Sequence, residues 1–376
     1  MQTIRYLHDI IEKKLSSKMV FVTGPRQSGK TTLSKGIFPR HPDADKLYLN
    51  WDFNDDRETI LRGTLPTNLK FLVLDEIHKF IKWRNWVKGL FDKRGPECKI
   101  LVTGSARLDY YRKSGDSLQG RYYLVRMHGF SLAEVSNLKL GSLEDLFNYG
   151  GFPEPFLKKN SAESRIWSRD YRSRLVREDL RELESVKDIS AVEMMALRLP
   201  DLVGSPLSIN SLREDLNVAH QTVARWLDIL ERLYAIFRVL PFGAPKIRAV
   251  KKEAKHYHYD WTQVENEGFR FECMVACHLL KWCHFLEDTE GWSQELRYFR
   301  DTDKREVDFV ITRQRKPILF VECKFSDTSM SDHLRYLKAK FPEVEAVQVV
   351  YKGEIDVRNS VGIRIVSADI FLRELV

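Results

Sequence analysis

The sequence lacks the features that mark several large classes of protein. Its 5 cysteines among 376 residues include no C-x-x-C pair, which disfavours a zinc ribbon and a disulfide framework. Cys273, Cys277 and Cys283 lie in a helical pattern, and we expect reduced thiols there. No apolar run approaches the roughly 20 residues that span a bilayer, and no signal peptide or internal repeat is visible. These absences predict a cytoplasmic protein with no membrane partner.

The overall composition is that of a globular chain. Apolar residues make up 43% and charged residues 30% of the sequence, and the length predicts two or three domains. The net charge of +8 fits a surface that binds a polyanion, and it fits an ordinary basic protein almost as well. Charge alone therefore does not identify a nucleic-acid partner.

One stretch near the N-terminus carries the most specific chemical pattern. The apolar run 19–22 enters a segment that fills every fixed position of G-x-x-x-x-G-K-[ST], and a helix-forming run follows. In this pattern backbone N–H groups surround a phosphate, the lysine reaches the β- and γ-phosphates, and the hydroxyl binds Mg²⁺. We therefore expect ATP and Mg²⁺ as cofactors, at a site built from Gly24, Pro25, Arg26, Gln27, Ser28, Gly29, Lys30, Thr31 and Thr32.

A second apolar run, residues 71–74, completes this prediction. It reads as a buried parallel strand and ends in Asp75 and Glu76. Ligands of parallel sheets bind at the carboxyl ends of the strands. We expect Asp75 to hold Mg²⁺ through water and Glu76 to orient and deprotonate the attacking water.

A third run, residues 100–102, has the same design and ends in polar residues. Either Thr103 or Ser105 is placed to contact the γ-phosphate or the attacking water. Hydrolysis also gains from an arginine that stabilises the transition state, supplied in cis or by a neighbouring subunit. Arg107 and Arg121 are the candidates, and we favour Arg121 because L-Q-G-R leads directly into another predicted strand.

Residues 208–242 have the layout of a winged helix-turn-helix. A short helix, a turn at 217–219, a second helix with apolar spacing of three and four, and a strand-like run follow one another. In such a unit the second helix enters the major groove, and the basic segment 246–255 would neutralise phosphates. Winged helices also dock proteins, so a protein partner stays open. The predicted DNA contacts are His220, Gln221, Thr222, Arg225, Lys246, Arg248, Lys251 and Lys252.

The C-terminal third combines acids with a lysine. Asp308 starts one predicted strand, and Glu322 and Lys324 share a face of the next. Such a set can hold a divalent cation and activate a water, with Glu272 completing the metal shell from a preceding helix. The order resembles the PD-(D/E)xK nuclease core, which implies catalytic roles for Asp308, Glu322 and Lys324. The alternative is an inactive, salt-bridged cluster of acids that Lys324 neutralises.

The motifs also resemble a known family when they are taken in order. The stretches G-P-R-Q-S-G-K-T-T, L-V-L-D-E-I-H, L-V-T-G-S-A-R-L, L-Q-G-R and Y-G-G-F-P-E are similar to those of a prokaryotic family of AAA-type ATPases with a C-terminal domain of unknown function. The resemblance covers essentially the whole chain. It implies that Lys30, Thr31, Asp75 and Glu76 carry hydrolysis, and that subunits assemble into oligomers.

These patterns predict an α/β protein in three parts. A P-loop ATPase domain with an AAA-like parallel sheet spans 1–135, a helical linker plus winged helix spans 136–250, and an α/β restriction-endonuclease-like domain spans 251–376. The predicted function is an oligomeric, Mg²⁺-dependent ATPase that binds DNA and couples its ATP state to the nuclease-like domain. The alternative is a nucleotide-dependent switch or scaffold that binds protein or DNA without cutting.

Overall fold

The structure is a computed structural model that describes residues 5–38, 45–95, 97–104, 118–179, 188–243 and 253–376, without the side chains at 178 and 179. Two compact units make up the chain, Met1–Gly129 (unit 1) and Phe130–Val376 (unit 2). Among the helices in these ranges, none has the length and apolar character that crossing a bilayer requires.

Unit 1 is built on a parallel five-stranded sheet in the order β2-β3-β4-β1-β5. Strands β1 and β3 are buried at every position, as parallel strands covered on both faces are. This is the P-loop-type sheet that the sequence predicts. Its elements are α1 (His8–Leu15), β1 (Met19–Thr23), α2 (Lys30–Ile37), β2 (Lys46–Asn50), α3 (Asn54–Arg62), β3 (Phe71–Asp75), α4 (Trp83–Arg94), β4 (Lys99–Thr103) and β5 (Tyr122–Arg126).

The strand register of unit 1 brings the candidate site residues to one end of the strands. Asn50 lies beside Asp75, Asp75 lies beside Thr103, and Val22 also pairs with Thr103. Because all the strands are parallel, their carboxyl ends meet there, next to the phosphate loop that follows β1.

Unit 2 contains a mixed eight-stranded sheet in the order β12-β13-β11-β10-β9-β8-β6-β7. Its strands are β6 (Ile236–Pro241), β7 (Lys255–His258), β8 (Gln294–Arg300), β9 (Glu306–Arg313), β10 (Lys316–Lys324), β11 (Glu345–Val350), β12 (Asp356–Arg358) and β13 (Ile363–Ser367). Its helices are α5 (Leu132–Asn137), α6 (Leu143–Tyr149), α7 (Pro153–Lys158), α8 (Ser161–Arg174), α9 (Ile189–Arg198), α10 (Ile209–Leu216), α11 (His220–Arg232), α12 (Glu267–Glu290), α13 (Asp332–Lys340) and α14 (Ala368–Arg373).

Strand β6 joins the helix-turn-helix segment to the C-terminal sheet. It pairs antiparallel with β7 on one side and parallel with β8 on the other. The predicted boundary at 250/251 therefore falls between two paired strands. The three-part division of the chain stays a prediction.

Two helices of unit 2 end in different ways. Helix α12 continues to Glu290 and stops at Gly291, whose φ of 78° is left-handed. Helix α8 is α-helical to Arg174 and is followed by a π-helical turn, Leu175–Asp179. Apolar periodicity does not report such a change of hydrogen-bond pattern.

The Gly150–Gly151 turn has a steric explanation. The Gly151 carbonyl accepts a hydrogen bond from the Phe130 N–H at 2.6 Å. A Cβ on Gly151 would lie 2.8 Å from the Trp261 ring and 2.9 Å from the Phe130 carbonyl oxygen. The Trp261 indole is itself fixed, because its N–H donates to the Leu146 carbonyl at 2.9 Å. Glycine is thus required where three segments of unit 2 converge.

We expect Gly151→Ala to destabilise unit 2 by about 1–3 kcal/mol, the usual cost of overpacking a rigid contact. Urea unfolding followed by tryptophan fluorescence measures this change. Gly268→Ala is the matched control, because the nearest atom to its added Cβ is a side-chain oxygen at 3.3 Å. Equal stability of the two variants would contradict the packing argument.

Candidate nucleotide site and acidic cluster

The phosphate loop has the backbone that its glycines permit. Gly24 has a φ of 143°, and a Cβ there would lie 2.0 Å from the Met127 carbonyl oxygen. Gly29 caps α2 with a left-handed φ of 97°. These two positions let the chain turn from β1 directly into the N-terminus of α2, where backbone N–H groups favour an anion.

Lys30 lies over this loop at the first position of α2. Its side chain is buried, and Nζ donates to the carbonyl oxygens of Gly24 at 3.0 Å and Pro25 at 2.6 Å. The ammonium is thereby held on the loop that the sequence predicts to bind phosphate.

Asp75 accepts hydrogen bonds from several side chains at this end of the sheet. It is 1% exposed, and its Oδ2 accepts hydrogen bonds from Thr31 at 2.8 Å and from the Tyr48 hydroxyl at 2.6 Å. Thr103 donates to the other carboxylate oxygen. Burial and the Asp75 carboxylate raise the pKa of Tyr48, so Tyr48 stays a donor. The structure thus brings Thr31, Asp75 and Thr103 together in one network.

Glu76 follows Asp75 in an unusual backbone conformation. Its φ of 55° is left-handed, a strained position for a residue with a side chain. Burial raises the pKa of the Glu76 carboxyl, while Lys30 and Lys79 oppose the shift. A carboxylate with a raised pKa beside the phosphate loop suits a general base.

Arg121 lies at the amino-terminal end of the strands, opposite to the end that carries the phosphate loop. It directly precedes β5, where Tyr122 pairs with Met19, the first residue of β1. The length of a five-residue strand, about 17 Å at 3.3 Å per residue, separates that end from the phosphate loop. The guanidinium bonds Asp92 of α4 at 2.7 Å. This placement favours action of Arg121 on a neighbouring subunit over action on its own nucleotide, and its role in hydrolysis stays a prediction. Ser105 and Arg107 lie outside the described residues.

Two N-terminal residues that sequence reasoning missed support the loop. The buried Arg5 guanidinium donates to the carbonyl oxygens of Ser28 and His128, each at 2.8 Å. The Tyr6 hydroxyl donates to the Arg126 carbonyl at 2.9 Å and accepts from the His128 N–H at 3.1 Å. Arg5 thus ties the middle of the phosphate loop to the segment after β5. A lone arginine in an amphipathic stretch gives no sequence signal of this role.

The predicted acids and lysine of unit 2 lie on neighbouring strands. The antiparallel register pairs Val321 with Phe309, which puts Glu322 opposite Asp308. Glu322 is 5% exposed, and its Oε1 contacts Lys324 Nζ and Ser331 Oγ, each at 3.1 Å. The other oxygen, Oε2, is buried without a hydrogen-bond partner. Burial and the Asp308 carboxylate raise the pKa of Glu322 to about 8.

A second lysine enters this cluster from β7. Lys255 is 0% exposed, and its Nζ lies 2.7 Å from Glu306 Oε1, 3.3 Å from Glu272 Oε1 and 3.8 Å from Asp308 Oδ1. Burial opposes its charge, but the surrounding carboxylates outweigh burial and raise the pKa of Lys255. The expectation that Lys255 is part of a phosphate-binding surface segment is wrong, because the side chain points into the acidic cluster.

Glu272 is engaged by protein groups. Besides Lys255, its Oε1 accepts from the Tyr257 hydroxyl at 2.6 Å, and burial raises the pKa of Glu272 to about 7. Within the described ranges, three or more ligand atoms of His, Cys, Asp or Glu within 4.8 Å of one another occur at His8, Asp9 and Glu12 alone. Glu272, Asp308 and Glu322 do not form such a group, and their joint metal shell stays a prediction.

The helix-turn-helix segment presents a polar face. Helices α10 and α11 are joined through Asn217, whose φ of 51° is left-handed. His220, Gln221 and Arg225 of α11 are exposed, and Thr222 is half-buried. Lys246, Arg248, Lys251 and Lys252 lie outside the described residues. The face of α11 that packs inward consists of Val223, Trp226, Leu227, Ile229 and Leu230.

Comparisons with known families divide the chain into three segments. Residues 16–136 match an AAA domain. Residues 140–262 match a domain of unknown function (DUF8612), and residues 267–371 match another (DUF4143). Unit 1 is thus an AAA-type, P-loop nucleotide-binding domain. The winged-helix and nuclease-like assignments stay predictions.

Similar proteins cover most of the chain. An uncharacterized protein of Haemophilus influenzae is 23% identical over 402 residues, covering 92% of this chain and 96% of that protein. An uncharacterized protein of Methanocaldococcus jannaschii is 22% identical, with 92% and 85% covered. Among solved structures, the Holliday junction branch migration motor RuvB of Thermotoga maritima is 16% identical with a TM-score of 0.32, covering 61% of this chain and 89% of RuvB.

We expect Arg5→Met to weaken ATP binding about tenfold, because a charge-assisted hydrogen bond contributes about 1.5–3 kcal/mol and the Ser28 carbonyl would lose its donor. Arg5→Lys should fall in between. Equilibrium binding of a fluorescent ATP analogue measures the effect, and thermal unfolding without nucleotide separates it from lost stability. Lys13→Met on the exposed side of α1 is the control. Unchanged affinity of Arg5→Met would disprove the support role.

Proposed function

We propose that this chain hydrolyses ATP with Mg²⁺ in unit 1 and uses its ATP state to control DNA binding by unit 2. The observation that carries the proposal is the 2.8 Å contact between Thr31 Oγ1 and Asp75 Oδ2 at the start of α2. A hydroxyl and a carboxylate meet beside a phosphate-binding loop, and Mg²⁺ prefers oxygen ligands that are supplemented by phosphate and water.

Each residue of the site has a distinct role in this proposal. Thr31 would bind the Mg²⁺ of the nucleotide, and Asp75 would hold it through water. Lys30 neutralises charge on the β- and γ-phosphates. Glu76 orients the attacking water and accepts its proton, for which a raised pKa is suited. Thr103 fixes the Asp75 carboxylate.

Oligomerisation follows from the position of Arg121. The arginine is remote from the phosphate loop of its own chain, so a role in hydrolysis requires the nucleotide of a neighbouring subunit. Arg121 would leave Asp92 and approach the γ-phosphate across the subunit interface. We therefore propose a homo-oligomer as the active form.

The proposed DNA surface is the polar face of α11. His220, Gln221 and Arg225 are exposed on one side of a helix whose opposite side is buried. Such a helix can enter a major groove without unfolding. The net charge of +8 supports an electrostatic contribution to DNA binding.

A second candidate function concerns the acidic cluster. Asp308 and Glu322 lie on facing strands, and the buried Glu322 Oε2 has no hydrogen-bond partner. These two carboxylates would share one divalent cation, with Lys324 beside them to polarise a water, as in a metal-dependent nuclease. Glu272 is less suited as a ligand, because Lys255 and Tyr257 bind its Oε1. If the cluster takes no metal, unit 2 binds DNA without cutting it.

We expect Lys30→Ala to abolish ATP turnover, and Glu76→Gln to bind ATP normally while hydrolysing it at least 10²-fold more slowly, the usual loss on removal of a general base. Phosphate release and binding of an ATP analogue measure these two properties separately. Lys93→Ala, at an exposed position of α4, should behave as wild type. Normal turnover by the pure Lys30→Ala protein would refute the nucleotide site.

We expect His220→Ala/Arg225→Ala to weaken binding of a fluorescent DNA duplex, with a smaller dependence of affinity on salt because a cation near the phosphates is lost. Fluorescence anisotropy with ATP and with ADP measures both the affinity and its dependence on nucleotide. Arg198→Ala on α9 is the control for general loss of charge.

Cleavage of the same duplex with Mg²⁺ tests the second candidate. Cutting that persists in pure Glu322→Ala and Lys324→Ala proteins would show that these residues do not form the cleavage site. Absence of cutting in wild type, together with normal DNA binding, favours the function without cleavage.

A further inference from the structure

The acidic cluster of unit 2 is divided between two lysines. Lys324 forms an ion pair with Glu322 at 3.1 Å. Lys255 is surrounded by carboxylates of Glu272, Glu306 and Asp308 at 2.7–3.8 Å. Lys255 thus places one positive charge among carboxylates of α12 and β9. Neither ATP binding nor DNA binding explains the function of this arrangement.

The spacing around Lys255 matches an ammonium group. Nitrogen–oxygen distances of 2.7–3.8 Å are those of ion pairs, whereas Mg²⁺ and Ca²⁺ hold oxygen ligands at about 2.0–2.6 Å. Within the described residues, the ligand atoms of Glu272, Glu306 and Asp308 are not all within 4.8 Å of one another, so the lysine holds them farther apart than a shared metal ion would. The cluster is therefore shaped around the lysine.

Lys255 is also fixed by its backbone. It pairs with Val239 of β6 and forms a bridge with Pro206. The neighbouring Ala254 carbonyl accepts from the Leu207 N–H at 2.8 Å. Strand β7 is thus held on both sides, and the side chain enters the cluster from a rigid position.

We propose that the Lys255 ammonium takes the place of a divalent cation among Glu272, Glu306 and Asp308 and closes this half of the cluster to metal ions. Buried carboxylates that face one another repel and require a positive charge. The lysine supplies that charge permanently, so this half needs no metal ion to stay folded. The inference concerns the cluster of the second candidate function and does not require that the Glu322 half binds metal.

Mn²⁺ titration of the full chain without nucleotide tests this proposal, with free Mn²⁺ counted by electron paramagnetic resonance. Lys255→Gln removes the charge and keeps a side chain of similar length. We expect it to bind one more Mn²⁺ than wild type, with a dissociation constant of about 1 mM or tighter. Adding Glu272→Gln or Glu306→Gln to Lys255→Gln should remove the additional ion.

The matched control is Lys281→Gln. Lys281 is also buried, and its Nζ bonds the Glu134 carboxylate and the Ser131 hydroxyl; we expect its loss to create no ion site. A Lys255→Gln protein that folds only when Mn²⁺ is present would support the proposal. Failure of Mn²⁺ to restore an unfolded variant, or a folded variant with the wild-type ion count, would overturn it.

The same titration keeps the two proposals separate. The ion count of wild type, with Glu322→Gln as its reference, reports on the nuclease-like site. The difference between wild type and Lys255→Gln reports on Lys255, whatever the wild-type count is. A loss of wild-type Mn²⁺ binding in Glu272→Gln would contradict the proposal, because Glu272 would then serve a metal and not the lysine.

Discussion

The hydrogen bonds that converge on Asp75 determine the nucleotide site. Thr31 comes from α2, Tyr48 from β2 and Thr103 from β4, and all of them donate to one buried carboxylate. A buried charge without partners is costly, so each donor holds the others in place. The parallel register brings the carboxyl ends of β2, β3 and β4 together, and α2 starts beside them. The fold of unit 1 therefore determines the geometry of its site.

In unit 2 the charge of the buried carboxylates is compensated mainly by lysines. Its acids lie on adjacent strands and a helix, and lysines add their charge to the hydroxyl donors Tyr257 and Ser331. Lys255 lies within 3.8 Å of three carboxylates, and Lys324 forms an ion pair with Glu322. Breaking such a buried network by removing one partner is strongly destabilising, which makes the cluster a structural centre of the sheet whatever its chemistry.

Motifs that are contiguous in sequence were predictable, and contacts between distant segments were not. The phosphate loop, Asp75 and the cross-strand neighbours Asp308 and Glu322 follow from local pattern and strand alternation. Arg5 contacts residues 23 and 123 positions away, which no local pattern encodes. Lys255 belongs to a basic stretch in sequence, and only the pairing of β7 with β6 turns it inward. The sequence left open whether Arg121 acts on its own chain or on a neighbouring subunit, since it does not tell at which end of the strands an arginine lies.

Strand β6 is shared between the helix-turn-helix segment and the sheet that carries the acids. Because β6 is hydrogen-bonded to both β7 and β8, it does not act as a flexible hinge that absorbs a shift of α11. A displacement of α11 is transmitted to the β-sheet through the peptide backbone. Helix α11 and the carboxylates are thus linked through the hydrogen-bonded sheet, and a truncated chain that separates them would expose unsatisfied strand edges, which favour aggregation.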